Sequence, residues 1–229
     1  MKAILTGASG FIGGGVLEEC LDHPDITSIV VLCRSPLSGP AALSTKVEIV
    51  VVEDFLNYSK PVLDELKDAD FCIWSLGHRT NATASVEVGY TITFCEAVAR
   101  LRSEAPARAK PFRMVYLSGL FATTDQNTPL WWKDAPRKAK GIAETKLLAF
   151  SGSQKQNNGP KWETYVVRPG GVLMKQWSWV TLIFGSWGLI PVDVLGRAMV
   201  ATALRGDPEQ RVFHAALVKK GEVELSKRK

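Results

Sequence analysis

Short apolar runs alternate with segments in which apolar residues recur every third or fourth position, and this rhythm persists through most of the chain. The runs Ala3–Leu5, Ile29–Cys33, Val47–Val52, Phe71–Leu76, Phe112–Leu117 and Thr164–Arg168 predict buried strands. The intervening spacing predicts helices over Phe11–Leu21, Leu63–Lys67, Ser85–Leu101, about Ala139–Phe150, and Val194–Leu204. In the third of these helices Val88, Ile92, Cys95, Val98 and Ala99 fall on one face. The alternation of strands with helical patterns implies βαβ units, hence a doubly wound parallel sheet with helices on both faces. No repeat or low-complexity stretch interrupts the pattern, and the loop-rich segments 35–44, 106–111 and 151–160 read as surface connections within one domain spanning 1–229.

Composition narrows the class. The chain has 229 residues, 46% hydrophobic and 22% charged, ordinary values for a globular domain of this length. Part of the net charge of +5 lies in Lys219-Lys220 and Lys227-Arg228-Lys229, which reads as a solvated terminus. No basic stripe interleaves with aromatics, so nucleic acid is not an expected partner. Cys20, Cys33, Cys72 and Cys95 each sit in an apolar pattern, as reduced core thiols do, and no metal site is expected. No secretory signal is visible, and the uncharged stretch Gln176–Val192 falls short of the roughly 20 residues of a spanning helix. The expectation is a cytoplasmic protein without a membrane span, its oligomeric state open and compatible with a homodimer.

The densest chemistry lies in Thr6-Gly7-Ala8-Ser9-Gly10-Phe11-Ile12-Gly13, between the first strand and the first helix. Gly7 permits a tight turn, Gly10 lets backbone approach a pyrophosphate, and Gly13 lets the helix lie close on the sheet. With Ser9, Phe11 and Ile12 these residues offer backbone amides and the positive end of a helix dipole to phosphates. That is a dinucleotide site. The second strand ends in Cys33-Arg34-Ser35, so an Arg and no acid stands where the adenosine ribose would lie, which favours a 2′-phosphate and therefore NADP(H). Asp54 and Phe55, after the third strand, are placed to meet the adenine through an acceptor and an apolar face. Ser75, Leu76 and Gly77, ending the fourth, are placed beneath the nicotinamide-side ribose.

With these residues the chain resembles the extended or atypical branch of the short-chain dehydrogenase/reductase superfamily. The Thr6–Gly13 opening carries the resemblance together with Tyr116-Leu-Ser118, Lys140-Gly-Ile-Ala-Glu144 and Val167-Arg-Pro-Gly170. It extends over nearly the whole chain and is weakest after Gly171, and it is closest in kind to fungal relatives of Tat-interacting-protein-type reductases and sugar-nucleotide epimerases. The resemblance implies that Ser118 orients a carbonyl, that Lys140 holds ribose hydroxyls, and that Pro169 lies in the cofactor site. It also implies a proton-donating Tyr four residues before the Lys, where this chain has Pro136, or Ile142 if Lys146 is taken instead. Neither side chain carries a transferable proton.

Three readings follow. The first is an NADP(H)-dependent reductase or dehydrogenase of a hydrophobic carbonyl or alcohol, its proton supplied by Ser118, Lys140, a water, Tyr90 or Asp125. The second is a non-redox isomerase, dehydratase or cyclase on the same fold. The third is a non-enzymatic, dinucleotide-sensing regulator. Trp131, Trp132, Trp177, Trp179 and Trp187 lie in loop-like segments and suit a small hydrophobic molecule as ligand, under a substrate-side cap at about 171–192. His78 adds a residue capable of acid/base chemistry, although a lone loop His is usually incidental.

Overall fold

The computed structural model describes residues 1–77, 84–106, 108–175 and 188–226. In chain order the elements are β1 (Lys2–Thr6), α1 (Phe11–Asp22), β2 (Ser28–Cys33), a 3₁₀ turn (Pro40–Leu43), β3 (Val47–Val51), α2 (Lys60–Leu66), β4 (Phe71–Trp74) and α3 (Ala84–Glu104). There follow β5 (Phe112–Leu117), α4 (Asp134–Gln156), β6 (Trp162–Arg168), β7 (Gly171–Leu173), β8 (Leu189–Pro191), α5 (Val192–Arg205), β9 (Arg211–Phe213) and α6 (His214–Ser226). Seven strands form one parallel sheet in the order β3-β2-β1-β4-β5-β6-β9, while β7 and β8 pair apart from it. The order reverses between β1 and β4, and ligands of such sheets bind beyond the strand carboxyl ends at that point.

Strand alternation sorts the core into two layers. Ala3, Leu5, Val31, Ile73, Val115 and Val167 face Leu17 and Cys20 of α1, Leu195 and Met199 of α5, and Leu217 of α6. Ile4, Val30, Cys72, Trp74, Met114 and Tyr116 face Leu66 of α2, Phe94 and Val98 of α3, and Leu147 of α4. Burial on both faces explains why the strands read as continuous apolar runs. All four cysteines are free and buried, and burial pushes the Cys20 thiol up to about 12. Helix α1 packs closely on α5, because Gly15 and Gly196 bring the backbones together and Arg197 pairs with Glu19 at 3.2 Å and Asp193 at 3.0 Å.

The element boundaries depart from the sequence expectation in places that have physical causes. Helix α4 begins at Asp134 rather than Ala139, since Pro136 occupies its first turn, where no intrahelical N–H bond is lost. Strand β4 ends at Trp74, and Leu76 leaves the ladder to donate its N–H to Thr6 Oγ1 at 3.2 Å. The expected solvated terminus is partly wrong: residues 214–226 form α6, and Lys220 is tied to Asp207 and to Thr202 Oγ1. The tail 227–229 lies outside the described residues. So do Trp177, Trp179, Phe184 and Trp187 of the expected cap, of which β7, β8 and the start of α5 are seen. Among the described residues no helix is long and apolar enough to cross a membrane.

Candidate functional site

The loop after β1 is shaped by backbone contact. Gly7 adopts φ +72°, and a Cβ there would lie 2.6 Å from the Ser75 carbonyl oxygen, so the loop presses on the end of β4. A Cβ at Gly13 would lie 2.0 Å from the Gly7 oxygen, a clash that no rotamer relieves. Ser75 Oγ closes the junction by donating to the Thr6 carbonyl at 2.5 Å. The Gly10 N–H is used at 2.9 Å on the Gly7 oxygen, and the helical ladder starts with Gly14 N–H to Gly10 at 2.8 Å. Gly10 caps α1 without any side-chain bond, so the amides at Phe11, Ile12 and Gly13 precede the ladder. Ser9, Gly10 and Phe11 are exposed. An uncapped helix N-terminus with no side chain at position 10 fits a diphosphate.

The other expected cofactor residues follow the carboxyl ends of β2, β3, β4 and β6. Arg34 is exposed as the first residue past β2, and Gly77 is exposed past β4, beside half-buried Ser75 and Leu76. Asp54 is exposed, and its Oδ1 accepts the Leu56 N–H at 2.9 Å. Phe55 departs from expectation. Its ring is 1% exposed, stacked on Tyr90 at 5.6 Å and set edge-on to Trp74, so its apolar face serves the core rather than an adenine. Pro169 is buried past β6, and its carbonyl accepts the Leu120 N–H at 2.8 Å.

Beyond β4 and β5 the site is made of side chains. Glu87 of α3 is 4% exposed, and its Oε1 accepts from the Tyr116 hydroxyl at 2.5 Å and from Lys140 Nζ at 3.0 Å. Lys140 Nζ also donates to the Leu117 carbonyl at 3.2 Å, which leaves one of its three N–H groups. The exposed helix pair of Lys140 with Glu144 that their spacing suggests does not form. Glu144 is fully buried and instead accepts the Ser118 hydroxyl and a two-pronged Arg168 guanidinium, with Nε to Oε1 at 2.9 Å and Nη2 to Oε2 at 2.5 Å. Arg211 adds a second cation at 3.5 Å. Burial first, and then the Glu87 charge and hydrogen bond, push the Tyr116 phenol well above its ordinary range.

Ser118 thus follows β5 and Lys140 stands on α4, each committed to a buried carboxylate whose role the sequence reading did not single out. The signal was present: Glu87 shares a buried helical stripe with Thr91, Phe94 and Val98, and Glu144 one with Ala143, Leu147 and Ser151. An acid in an apolar stripe needs a partner. The alternative proton sources fare differently. Tyr90 stacks on Phe55, and Asp125 is held below the usual carboxylate range by the Thr128 hydroxyl and the Asn127 N–H, which keeps it ionised and a poor acid. Trp131 is 96% exposed and Trp132 half-exposed, so neither encloses a ligand; His78 lies outside the described residues.

No family model matches the chain. A stretch of 90 residues, 39% of this chain, is 36% identical to the leucinostatins biosynthesis cluster protein T of Purpureocillium lilacinum, and the match spans 33% of that protein. Among solved structures, a short-chain dehydrogenase from Burkholderia cenocepacia in complex with NADP is similar over 98% of this chain and 92% of its own, at 15% identity and a TM-score of 0.67. Yeast methylglyoxal/isovaleraldehyde reductase Gre2 complexed with NADPH is similar over 93% and 78%, at 15% identity and a TM-score of 0.69. The fold is thus a Rossmann-type doubly wound parallel sheet, shared with these two structures.

Proposed function

We propose that this chain is a single NADP(H)-binding unit and an atypical oxidoreductase acting on a small hydrophobic carbonyl or alcohol. The observation that carries the reading is the meeting of two features at the strand-order reversal, the uncapped glycine loop after β1 and a Lys140 ammonium with one uncommitted N–H past β4. Gly7, Ser9, Gly10, Phe11, Ile12 and Gly13 would hold the diphosphate, Arg34 the 2′-phosphate, and Asp54 the adenine side. Ser75, Leu76, Gly77, Lys140 and Pro169 would border the nicotinamide half. A bound nicotinamide supplies hydride transfer there. Support comes from similar folds whose structures hold NADP or NADPH.

The chain's own groups then do limited work. Lys140 is held in place by its 3.0 Å ion pair with buried Glu87. It orients a ligand oxygen, and Ser118 fixes a second contact at the floor. With Pro136 in place of a phenol, the proton in reduction comes from water. A cytoplasmic location and a small-molecule partner accompany this reading. The test is to supply the purified chain with NADPH and a panel of hydrophobic ketones and aldehydes and to follow the absorbance of reduced nicotinamide. Oxidation coupled to product supports the proposal, and substrate conversion without nicotinamide oxidation contradicts it.

One observation favours a second reading. The hydroxyl hydrogens of Tyr116 and Ser118 both point into buried carboxylates, which suits nucleotide binding without redox turnover. A non-redox isomerase, dehydratase or cyclase, or a dinucleotide sensor, would then use the same pocket. Tight NADPH binding with no oxidation by any carbonyl would favour it.

A further inference from the structure

The loop between β5 and α4 carries three large apolar side chains that the core does not use: Trp131 is 96% exposed, Phe121 60% and Trp132 47%. One guanidinium gathers them, since Arg137 donates through Nε to the Phe121 carbonyl at 2.7 Å and through Nη1 to the Trp132 carbonyl at 3.3 Å, with its Cζ 5.8 Å from the Phe121 ring centre. Lys133 Nζ lies over the Trp132 ring at 4.6 Å. The loop is strapped to α4, because the Thr123 N–H donates to the Arg137 carbonyl at 3.1 Å and Gly141 lets the helix press on the Thr123 carbonyl, where a Cβ would lie at 1.7 Å. Little backbone ordering is left to be lost on binding. The uncompensated charges here are of one sign: Asp134 is paired with Lys138 at 2.9 Å and Asp125 is bonded to Thr128 and Asn127 of its own loop, whereas Lys133 and Arg137 meet no carboxylate among the described residues.

A stable protein interface fits this surface poorly. At their exposures the three rings offer roughly 400–500 Å², short of the about 800 Å² that each side of such an interface buries. Seating a few aromatics among lipid headgroups needs no such area, and unpaired cations beside them suit anionic headgroups. We propose that Phe121, Trp131 and Trp132, with Lys133 and Arg137, dock this chain on the surface of an anionic lipid bilayer. The loop leaves the carboxyl end of β5, the edge of the sheet that carries the candidate site, and the Leu120 N–H bonds the Pro169 carbonyl at 2.8 Å. Docking therefore brings that site close to a phase in which hydrophobic molecules dissolve. The inference does not depend on which nucleotide the site takes.

The experiment is cosedimentation of the whole chain with vesicles of equimolar phosphatidylcholine and phosphatidylserine, and with vesicles of phosphatidylcholine alone. Wild type should bind the mixed vesicles more tightly, and less so as salt is raised. Trp131→Ser should weaken that binding by about 10-fold, the loss of one large buried side chain, without moving the melting temperature. Lys133→Ser should weaken it by about 5-fold. The Trp131→Ser effect should persist in a chain whose Lys227, Arg228 and Lys229 are replaced by Ser, which separates the loop from the basic tail. Binding that ignores both Trp131→Ser and Trp132→Ser would mean attraction by net charge alone, and failure of wild type to bind mixed vesicles would mean that no lipid docks; either result overturns the inference. So would self-association without lipid that Trp131→Ser abolishes in sedimentation velocity, since the patch would then belong to a second copy of the chain.

Discussion

The two halves of the site are built from different materials. On the β1–α1 side backbone makes the surface: three glycines within seven residues set a turn, a close packing contact and a row of amides. On the β5–α4 side the work falls to side chains drawn from far apart, with Glu87 bonded to residues 29 and 53 positions away, and Glu144 to residues 26 and 24 positions away. A backbone device tolerates no added atom but survives changes in charge. A buried ionic device has the reverse sensitivity. Substitutions on each side should therefore fail in distinguishable ways.

The largest effect is expected in the ionic half. Glu144→Ala leaves the Arg168 guanidinium, only 12% exposed, without its carboxylate, which should cost about 3 kcal/mol in urea unfolding. A loss under about 1 kcal/mol would show that solvent reaches this cluster and that it resembles a surface pair. Next comes Gly13→Ala, where the added methyl meets the Gly7 oxygen; about 1–3 kcal/mol should be lost, with nucleotide binding lost alongside. Arg34→Glu touches neither packing nor the buried pairs and should leave the melting temperature alone. It should weaken NADPH binding by at least about 10-fold while sparing NADH, and equal loss of both would overturn the 2′-phosphate assignment.

Most of the fold and the backbone half of the site were legible in the sequence, because apolar runs and glycine spacing are local signals. The ionic half was not, since nothing local says that Glu87 will meet Tyr116 and Lys140 rather than solvent. Lys140 and Glu144 even mislead, being spaced as an ordinary exposed helix pair. Phe55 was placed correctly at a strand end, but which way its ring turns is decided by Trp74 and Tyr90, distant in sequence. Strand β9 is too short to carry a period, and the lysines of α6 hid the spacing of buried Leu217 and Gly221.

Smaller effects sharpen the contrast. Tyr116 and Cys20 hold their protons more tightly when folded, so they stabilise the fold fully below their unfolded pKa values. That stability is lost as pH rises, from about 9 toward about 12 for Cys20 and above roughly 10 for Tyr116. Tyr116→Phe should flatten the alkaline part of a stability-against-pH curve and leave it unchanged near neutrality apart from the missing hydrogen bond. An unaltered alkaline slope would show that the phenol ionises freely. Trp131→Ser, at a surface position, should move stability by less than about 0.5 kcal/mol.

The most direct test of the central claim, that the glycine loop after β1 receives the diphosphate of NADP(H), is a calorimetric titration of the unmodified chain with NADPH and with NADH. Saturable binding of NADPH, tighter than that of NADH by about 10-fold or more, is the result expected. Failure of both nucleotides to bind at millimolar concentration would contradict it.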